Sequence, residues 1–182
     1  MSLLVLDEIA CRRGGRLLFE ELSLTLGPGE AALVTGPNGS GKTSLIRLVA
    51  GLLRPAAGVV ERGGAALADE HLALDERQRL IDALGFWVRD AQAGMEAMGL
   101  AAFADVPVRM LSAGQRQRAA LARVIAGQAP LWLLDEPANG LDADGLGRLA
   151  AAMAGHRAGG GAILAASHQP LGLEGAKPVA LG

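Results

Sequence analysis

The stretch Gly36-Pro37-Asn38-Gly39-Ser40-Gly41-Lys42-Thr43 constrains this chain more than any other feature. It fits the pattern G-x-x-x-x-G-K-[ST] and follows directly on the short apolar run Ala31 to Thr35, which reads as a buried parallel strand. A helix is expected after it, from about Lys42 to Leu53, with Leu45, Ile46, Leu48 and Val49 along its inner side. Strand, glycine-rich turn and helix in that order build a phosphate cradle, or P-loop. Gly36, Gly39 and Gly41 let the backbone wrap a phosphate with N–H groups inward, and the helix start adds positive potential. Lys42 then reaches the β- and γ-phosphates, and the Thr43 hydroxyl is a ligand for Mg²⁺. Of 17 cationic residues only Lys42 and Lys177 are lysines, so a compact point charge is retained where Arg has taken almost every other role.

A second apolar run, Leu131 to Leu134, ends in Asp135-Glu136. Beside a phosphate cradle this pair has two distinct tasks. Asp135 stands where a direct or water-mediated Mg²⁺ contact is needed, and Glu136 where a general base would polarise the attacking water. A third short run, Ile163 to Ala166, ends at Ser167-His168. Residues 3–9 and 22–26 alternate and read as strands of a half-buried sheet. Residues 55–80 read as loop, 80–104 as helical pieces interrupted by Gly85, Gly94 and Gly99, and Gln115 to Gly127 as a clear amphipathic helix. The residues beyond Leu173 are expected only to trail the fold. Alternating strands and helices imply an α/β parallel sheet in one domain spanning 1–182, with a helical insert at about 75–127.

Leu111-Ser112-Ala113-Gly114-Gln115 opens the clear helix. Ser112 is a sound N-cap, and the same geometry makes an exposed anion site. Within one subunit that site has no ligand, because the P-loop already holds the phosphates; a second subunit would supply one. LSAGQ resembles the signature of ABC ATPases and lies 23 residues before Asp135, as in that family. Asn139-Gly140-Leu141-Asp142 resembles the family's D-loop, and Ser167-His168 its switch-histidine loop. The resemblance covers nearly the whole chain. It implies a P-loop NTPase of ABC type: a parallel sheet core, an N-terminal antiparallel β part and a short helical insert. It also implies hydrolysis of ATP with Mg²⁺, with Glu136 as catalytic base and His168 sensing the γ-phosphate. Two copies would form a head-to-tail pair, with Ser112, Gly114, Gln115 and Asp142 of one subunit facing the ATP of the other. A helix of a transmembrane ABC subunit would enter the groove between the insert, here roughly 75–104, and the core. Asp105 to Arg109 before LSAGQ, and Ala129 to Pro137, narrow the resemblance to the ATP-binding subunits of cytochrome c biogenesis. That branch implies membrane partners of cytochrome c maturation, heme handling and a peripheral place on the cytoplasmic face of the bacterial inner membrane.

Two departures stand out. The chain has no Tyr, and Arg12-Arg13 lie about where the family places a ring on adenine. Either Arg13 lays its guanidinium plane on the base or this is a solvated basic turn. The Gln that the family uses beside the metal is also missing, and an ungapped alignment from Leu84-Gly85-Phe86 puts His71 there. His71 either contacts Mg²⁺-bound water or is a surface residue of a degenerate loop.

Composition narrows the field. With 182 residues, 51% apolar, a sizeable core is expected rather than disorder. Net charge −2 supplies no field for nucleic acid. No 18-residue stretch escapes charges and Gly or Pro breaks, and Asp7 and Glu8 stand where a secretory signal would be basic. A lone Cys11 permits no internal disulfide, so the chain is expected in the cytoplasm. A GTPase would need Asn-Lys-x-Asp, and neither Asn38 nor Asn139 precedes Lys. DNA-repair ABC ATPases need inserts for which there is no room. A generic ABC importer or exporter subunit and an ATP-gated, non-catalytic interaction module remain as alternatives.

Overall fold

The computed structural model describes residues 2–182. Its centre is a five-stranded, all-parallel sheet ordered β5-β6-β7-β3-β8: β3 Ala31–Thr35, β5 Ala65–Ala68, β6 Leu131–Asp135, β7 Ala162–Ala166 and β8 Lys177–Ala180. The three inner strands are short, nearly unbroken apolar runs because both faces are covered. Ala32, Val34, Leu131, Leu133, Leu164 and Ala166 point to one side and join Leu45, Ile46, Leu48 and Val49 of α1 (Lys42–Val49). Ala31, Trp132, Leu134, Ile163 and Ala165 point to the other, towards α2 (Leu80–Gly85), α3 (Ala91–Ala97), α4 (Ala113–Ala126) and α5 (Ala143–Ala158). The period of two in the strands therefore divides the interior into two cores with the sheet between them.

A second, antiparallel sheet closes the first core, in the order β2-β1-β4: β1 Leu4–Arg13, β2 Arg16–Leu26 and β4 Ala57–Arg62. The strands outrun the expected 3–9 and 22–26 because bulges break their alternation. Glu8 and Glu21 sit at φ 46° and 54°, and the β1–β2 register shifts on either side of Ile9.

Three further expectations need correction. Residues 55–80 are not simply loop, since they contain β4 and β5. β5 is Ala-Ala-Leu-Ala, which has little strand propensity of its own; pairing with Leu131 to Leu134 of β6 makes it a strand. The C-terminal segment does not trail. β8 pairs in parallel with Ala32 to Thr35, and Lys177 Nζ donates to Thr25 O and to the Glu30 carboxylate, each at 2.8 Å. The helix after the P-loop stops at Val49 rather than Leu53, with Gly51 at φ 82° turning the chain out. Helix α5 has no counterpart in the pattern reading: only Gly145, Leu149 and Met153 are buried, a stripe too narrow to register as amphipathic.

The helical insert is tied together where α3 crosses α4. A Cβ on Gly94 would collide with the Ala122 carbonyl and stand 3.0 Å from Ala126 Cβ. Gly94→Ala gains up to about 1 kcal/mol in helix propensity but overpacks against backbone at about 1–3 kcal/mol. A lower urea midpoint is therefore expected, and a midpoint at or above wild type would show that the crossing has slack.

Candidate functional site

The P-loop runs from the end of β3 into α1. Gly36, Gly39 and Gly41 take φ of 148°, 81° and 107°, a backbone that other residues adopt only under strain. Gly36 is also hemmed in: a Cβ there would collide with the Leu181 carbonyl and approach Ser40 Oγ at 2.7 Å. The segment after β8 thus forms the wall behind the loop. Gly41 caps α1 without any side-chain hydrogen bond, which leaves the first-turn N–H groups free for an anion. Inside the loop Lys42 is only 8% exposed, and its ammonium donates to the Gly36 and Pro37 carbonyls at 2.7 and 3.2 Å. Ser40 Oγ is buried with no partner.

Beside the loop lies the acidic pair. Burial pushes the Asp135 carboxyl above its usual value, helped by Glu136 and Asp69 and opposed by the Thr43 hydroxyl and Arg47. Asp135 Oδ1 is buried with no hydrogen-bond partner. An orphaned carboxylate oxygen beside a hydroxyl suits a divalent cation completed by phosphate oxygens and water. Glu136 has φ 48°, a left-handed conformation that costs a non-glycine residue on the order of 1 kcal/mol or more. The turn is held because Glu136 N donates to Ala166 O and Asn139 N to Glu136 O, at 2.8 and 3.1 Å. It aims the side chain at the loop after β7. There His168 donates to Glu136 Oε2 from its backbone N at 3.3 Å, and the His168 ring Nδ1 lies 2.8 Å from the same oxygen.

The remaining expected residues gather elsewhere. Ser112, Gly114, Gln115 and Asp142 line one cavity of about 450 Å³ together with Gly140 and Arg118. No residue of the P-loop lines it. A capping box fixes Ser112: its Oγ accepts from Gln115 N at 3.3 Å, while Gln115 Oε1 accepts from Ser112 N at 2.8 Å. Asp142 caps α5 through Gly145 N and pairs with Arg118, which also donates to Asp144 at 2.9 Å. Arg118 therefore couples the helix after Ser112 to the loop before α5. Sequence reasoning missed this role, although Arg118 lies on the first turns of the recognised helix.

Arg13 stands exposed at the end of the β1–β2 hairpin, paired with Arg16. The hairpin abuts the P-loop, since Phe19 packs against Gly41. The His71 ring is largely exposed, 3.3 Å from Asp69 and 3.4 Å from Arg47. Asp69, only 9% exposed and engaged by Arg47, was not anticipated, and its charge is felt at Asp135. No helix among the described residues is long and apolar enough to cross a membrane.

A wrapped phosphate loop, an orphaned carboxylate and a strained Glu–His pair on a parallel sheet define an ATPase of the P-loop class. The family model described as "ABC transporter" matches residues 19–139. The chain is 58% identical over 99% of its length, and 97% of the relative, to the "Cytochrome c biogenesis ATP-binding export protein CcmA" of Sphingopyxis alaskensis. It is 59% identical over 98% of its length, and 95% of the relative, to the protein of the same name from Novosphingobium aromaticivorans. Among solved structures, the ATP-binding subunit of an ABC transporter superposes with a TM-score of 0.83 at 22% identity, over 91% of this chain and 79% of that one. An ABC transporter ATP-binding protein from Pyrococcus furiosus gives 0.84 at 18%, over 98% and 96%. The chain belongs to the ABC transporter family, in the branch formed by these export proteins: it is an ATP-binding, ATP-hydrolysing subunit of the kind that works with transmembrane partners.

The Asp135 arrangement sets a pH dependence. A carboxyl whose folded pKa is raised above the unfolded value costs nothing when both states are protonated, and costs increasingly as pH climbs towards the folded value. In the nucleotide-free protein Asp135→Asn should therefore raise the melting temperature at neutral pH, with the gain vanishing below about pH 4. A gain independent of pH would mean that charge burial is not its cause.

Proposed function

We propose that this chain powers the export step of cytochrome c biogenesis, with heme or a heme-handling protein as the cargo. It would act as a peripheral subunit on the cytoplasmic face of the bacterial inner membrane, bound to the membrane proteins of cytochrome c maturation. The names of its relatives support the biological role. The chemical role rests on one observation: the Glu136 carboxylate, turned by its left-handed backbone, meets His168 at 2.8 Å next to the orphaned Asp135 oxygen.

In this reading the γ-phosphate displaces the Gly36 and Pro37 carbonyls as the partner of Lys42, while the N–H groups of Gly39 to Thr43 close on the β-phosphate. Thr43 and Asp135 would hold Mg²⁺, which offsets charge developing on the transferred phosphoryl group. Glu136 is the general base. His168 occupies Oε2, so Oε1 takes the proton of the attacking water as its oxygen bonds to the γ-phosphorus and the bond to the ADP oxygen breaks. For Nδ1 to donate, the His168 ring carries a proton there, which orients Glu136; contact with the γ-phosphate would need a second proton on Nε2, because phosphate oxygens only accept. Arg13 would lie against adenine by stacking its guanidinium. His71, through Asp69 and Arg47, would link the metal end of the site to the membrane partner.

Ser112, Gly114, Gln115 and Asp142 form an anion-ready cavity that no P-loop residue of their own chain lines. A second copy docked head-to-tail would bring its γ-phosphate to the Ser112 helix start, so that ATP joins two subunits and hydrolysis parts them.

Glu136→Gln preserves shape and removes the proton acceptor. Hydrolysis should fall by roughly 10²–10⁴ while Mg-ATP binding survives. The blocked protein should accumulate as an ATP-bound dimer in size-exclusion chromatography, and adding Ser112→Arg should abolish the dimer by crowding the phosphate. Normal turnover by Glu136→Gln would remove the catalytic assignment. Binding without dimerisation, even beside the membrane partner, would favour an ATP-gated interaction module.

A further inference from the structure

The tip of the β1–β2 hairpin carries three exposed guanidinium groups, Arg12, Arg13 and Arg16, around the turn Gly14-Gly15. Arg13 lies directly opposite Arg16 in the antiparallel ladder. Like charges in that position are destabilising, and among the described residues no carboxylate ion-pairs with any of the three. The strands fix where these groups stand relative to the P-loop. Cys11 pairs with Phe19, whose ring packs against Gly41, and Cys11 itself stands beside the Ser44 hydroxyl of α1. Arg13 follows Cys11 by two residues on β1 and so shares its face, and Arg16 shares that face by pairing with Arg13. Arg12 and its partner Leu17 point the other way. Two unmatched cations thus continue the side of the hairpin that faces the start of α1.

A nucleotide with its phosphates in the P-loop and its base at this tip meets guanidinium planes rather than a ring. The one aromatic residue of the two strands, Phe19, is 9% exposed and packed against Gly41. A flat cation stacks on any base, because every base has a π face. An arginine beside the base reads its edge instead. Guanine offers two acceptors there, N7 and O6, which match the guanidinium fork; adenine offers N7 alone, next to an amino donor. We propose that the site takes guanine as well as adenine nucleotides, with Arg13 stacked on the base and Arg16 forked to N7 and O6, so that the chain also hydrolyses GTP. The reaction is that of ATP: water adds to the γ-phosphorus, its proton passes to Glu136, and the bond to the departing GDP oxygen breaks. The missing Asn-Lys-x-Asp removes exclusive reading of guanine and does not bar its acceptance. The inference rests on the reading that sets the base beside Arg13, and adds which bases that place accepts.

The test displaces a fluorescent trinitrophenyl-ATP from the complete chain with ATP, GTP or ITP in Mg²⁺. GTP should compete at least as well as ATP, and ITP, which keeps N7 and O6 but lacks the 2-amino group, should follow GTP. Arg16→Lys keeps the charge and loses the fork. It should shift the GTP-to-ATP affinity ratio about fivefold towards ATP, the low end for one bidentate contact. Arg13→Ala should weaken both nucleotides alike, by about fivefold or more, because stacking is tolerant of the base. In the complex with the cytochrome c maturation membrane subunits, saturating GTP should turn over at the rate of ATP, since the same residues meet its phosphates. GTP weaker than ATP, ITP that follows ATP, or a ratio untouched in Arg16→Lys overturns the inference, and so does GTP bound without release of phosphate. Unchanged affinities in Arg13→Ala would instead remove the base from the hairpin, the reading on which the inference rests. Arg13→Ala relieves a like-charge pair at an exposed tip, so its melting temperature should not fall below wild type.

Discussion

The interaction on which the rest depends is the buried ammonium of Lys42 held by the carbonyls of Gly36 and Pro37. A lysine 8% exposed with no carboxylate partner is costly, and two carbonyl dipoles offset only part of that cost. The arrangement keeps the loop open and places a positive charge where the site lacks a negative one. The rest of the fold can be read as the support this needs. β3 delivers the loop between β7 and β8, α1 aims its free N–H groups into it, and the Leu181 carbonyl presses on Gly36 from behind. A side chain at Gly36 could not be accommodated without moving β8.

Other local costs collect around the same point. Ser40 Oγ and Asp135 Oδ1 are buried without partners, and Glu136 holds a left-handed backbone. Each would be a defect in a structural core, where buried polar groups are satisfied and such conformations are rare. Grouped around a phosphate loop, they are what the proposed site would need, since a nucleotide with its cation would satisfy the orphaned atoms together. Nucleotide binding should then stabilise the fold strongly, as a ligand specific to the native state does.

How much of this was legible in the sequence depends on whether local pattern or pairing decides the structure. The P-loop, Asp135, Glu136 and the Ser112 cap could be located because each is a local arrangement of residue types at the end of an apolar run. The Glu136–His168 contact spans 32 residues; resemblance rather than periodicity marked His168 as a site residue, and the contact itself emerged only in three dimensions. β5 and β8 escaped notice because Ala-Ala-Leu-Ala and Lys-Pro-Val-Ala become strands only beside β6 and β3. The bulges at Glu8 and Glu21 hid the full length of β1 and β2 by switching which residues face inward. Arg118 and Asp69 were invisible as site residues, since what distinguishes them is what they touch in three dimensions.

The most direct test of the Lys42 account is calorimetric titration with Mg-ATP of the wild-type chain and of Lys42→Ala, alongside their nucleotide-free melting curves. Removing an ammonium that sits on its own loop carbonyls should leave the melting temperature unchanged or raise it, while ATP affinity falls at least tenfold, a loss of about 1.4 kcal/mol or more. Wild-type affinity in Lys42→Ala would contradict the account, and so would a protein that fails to fold without this lysine.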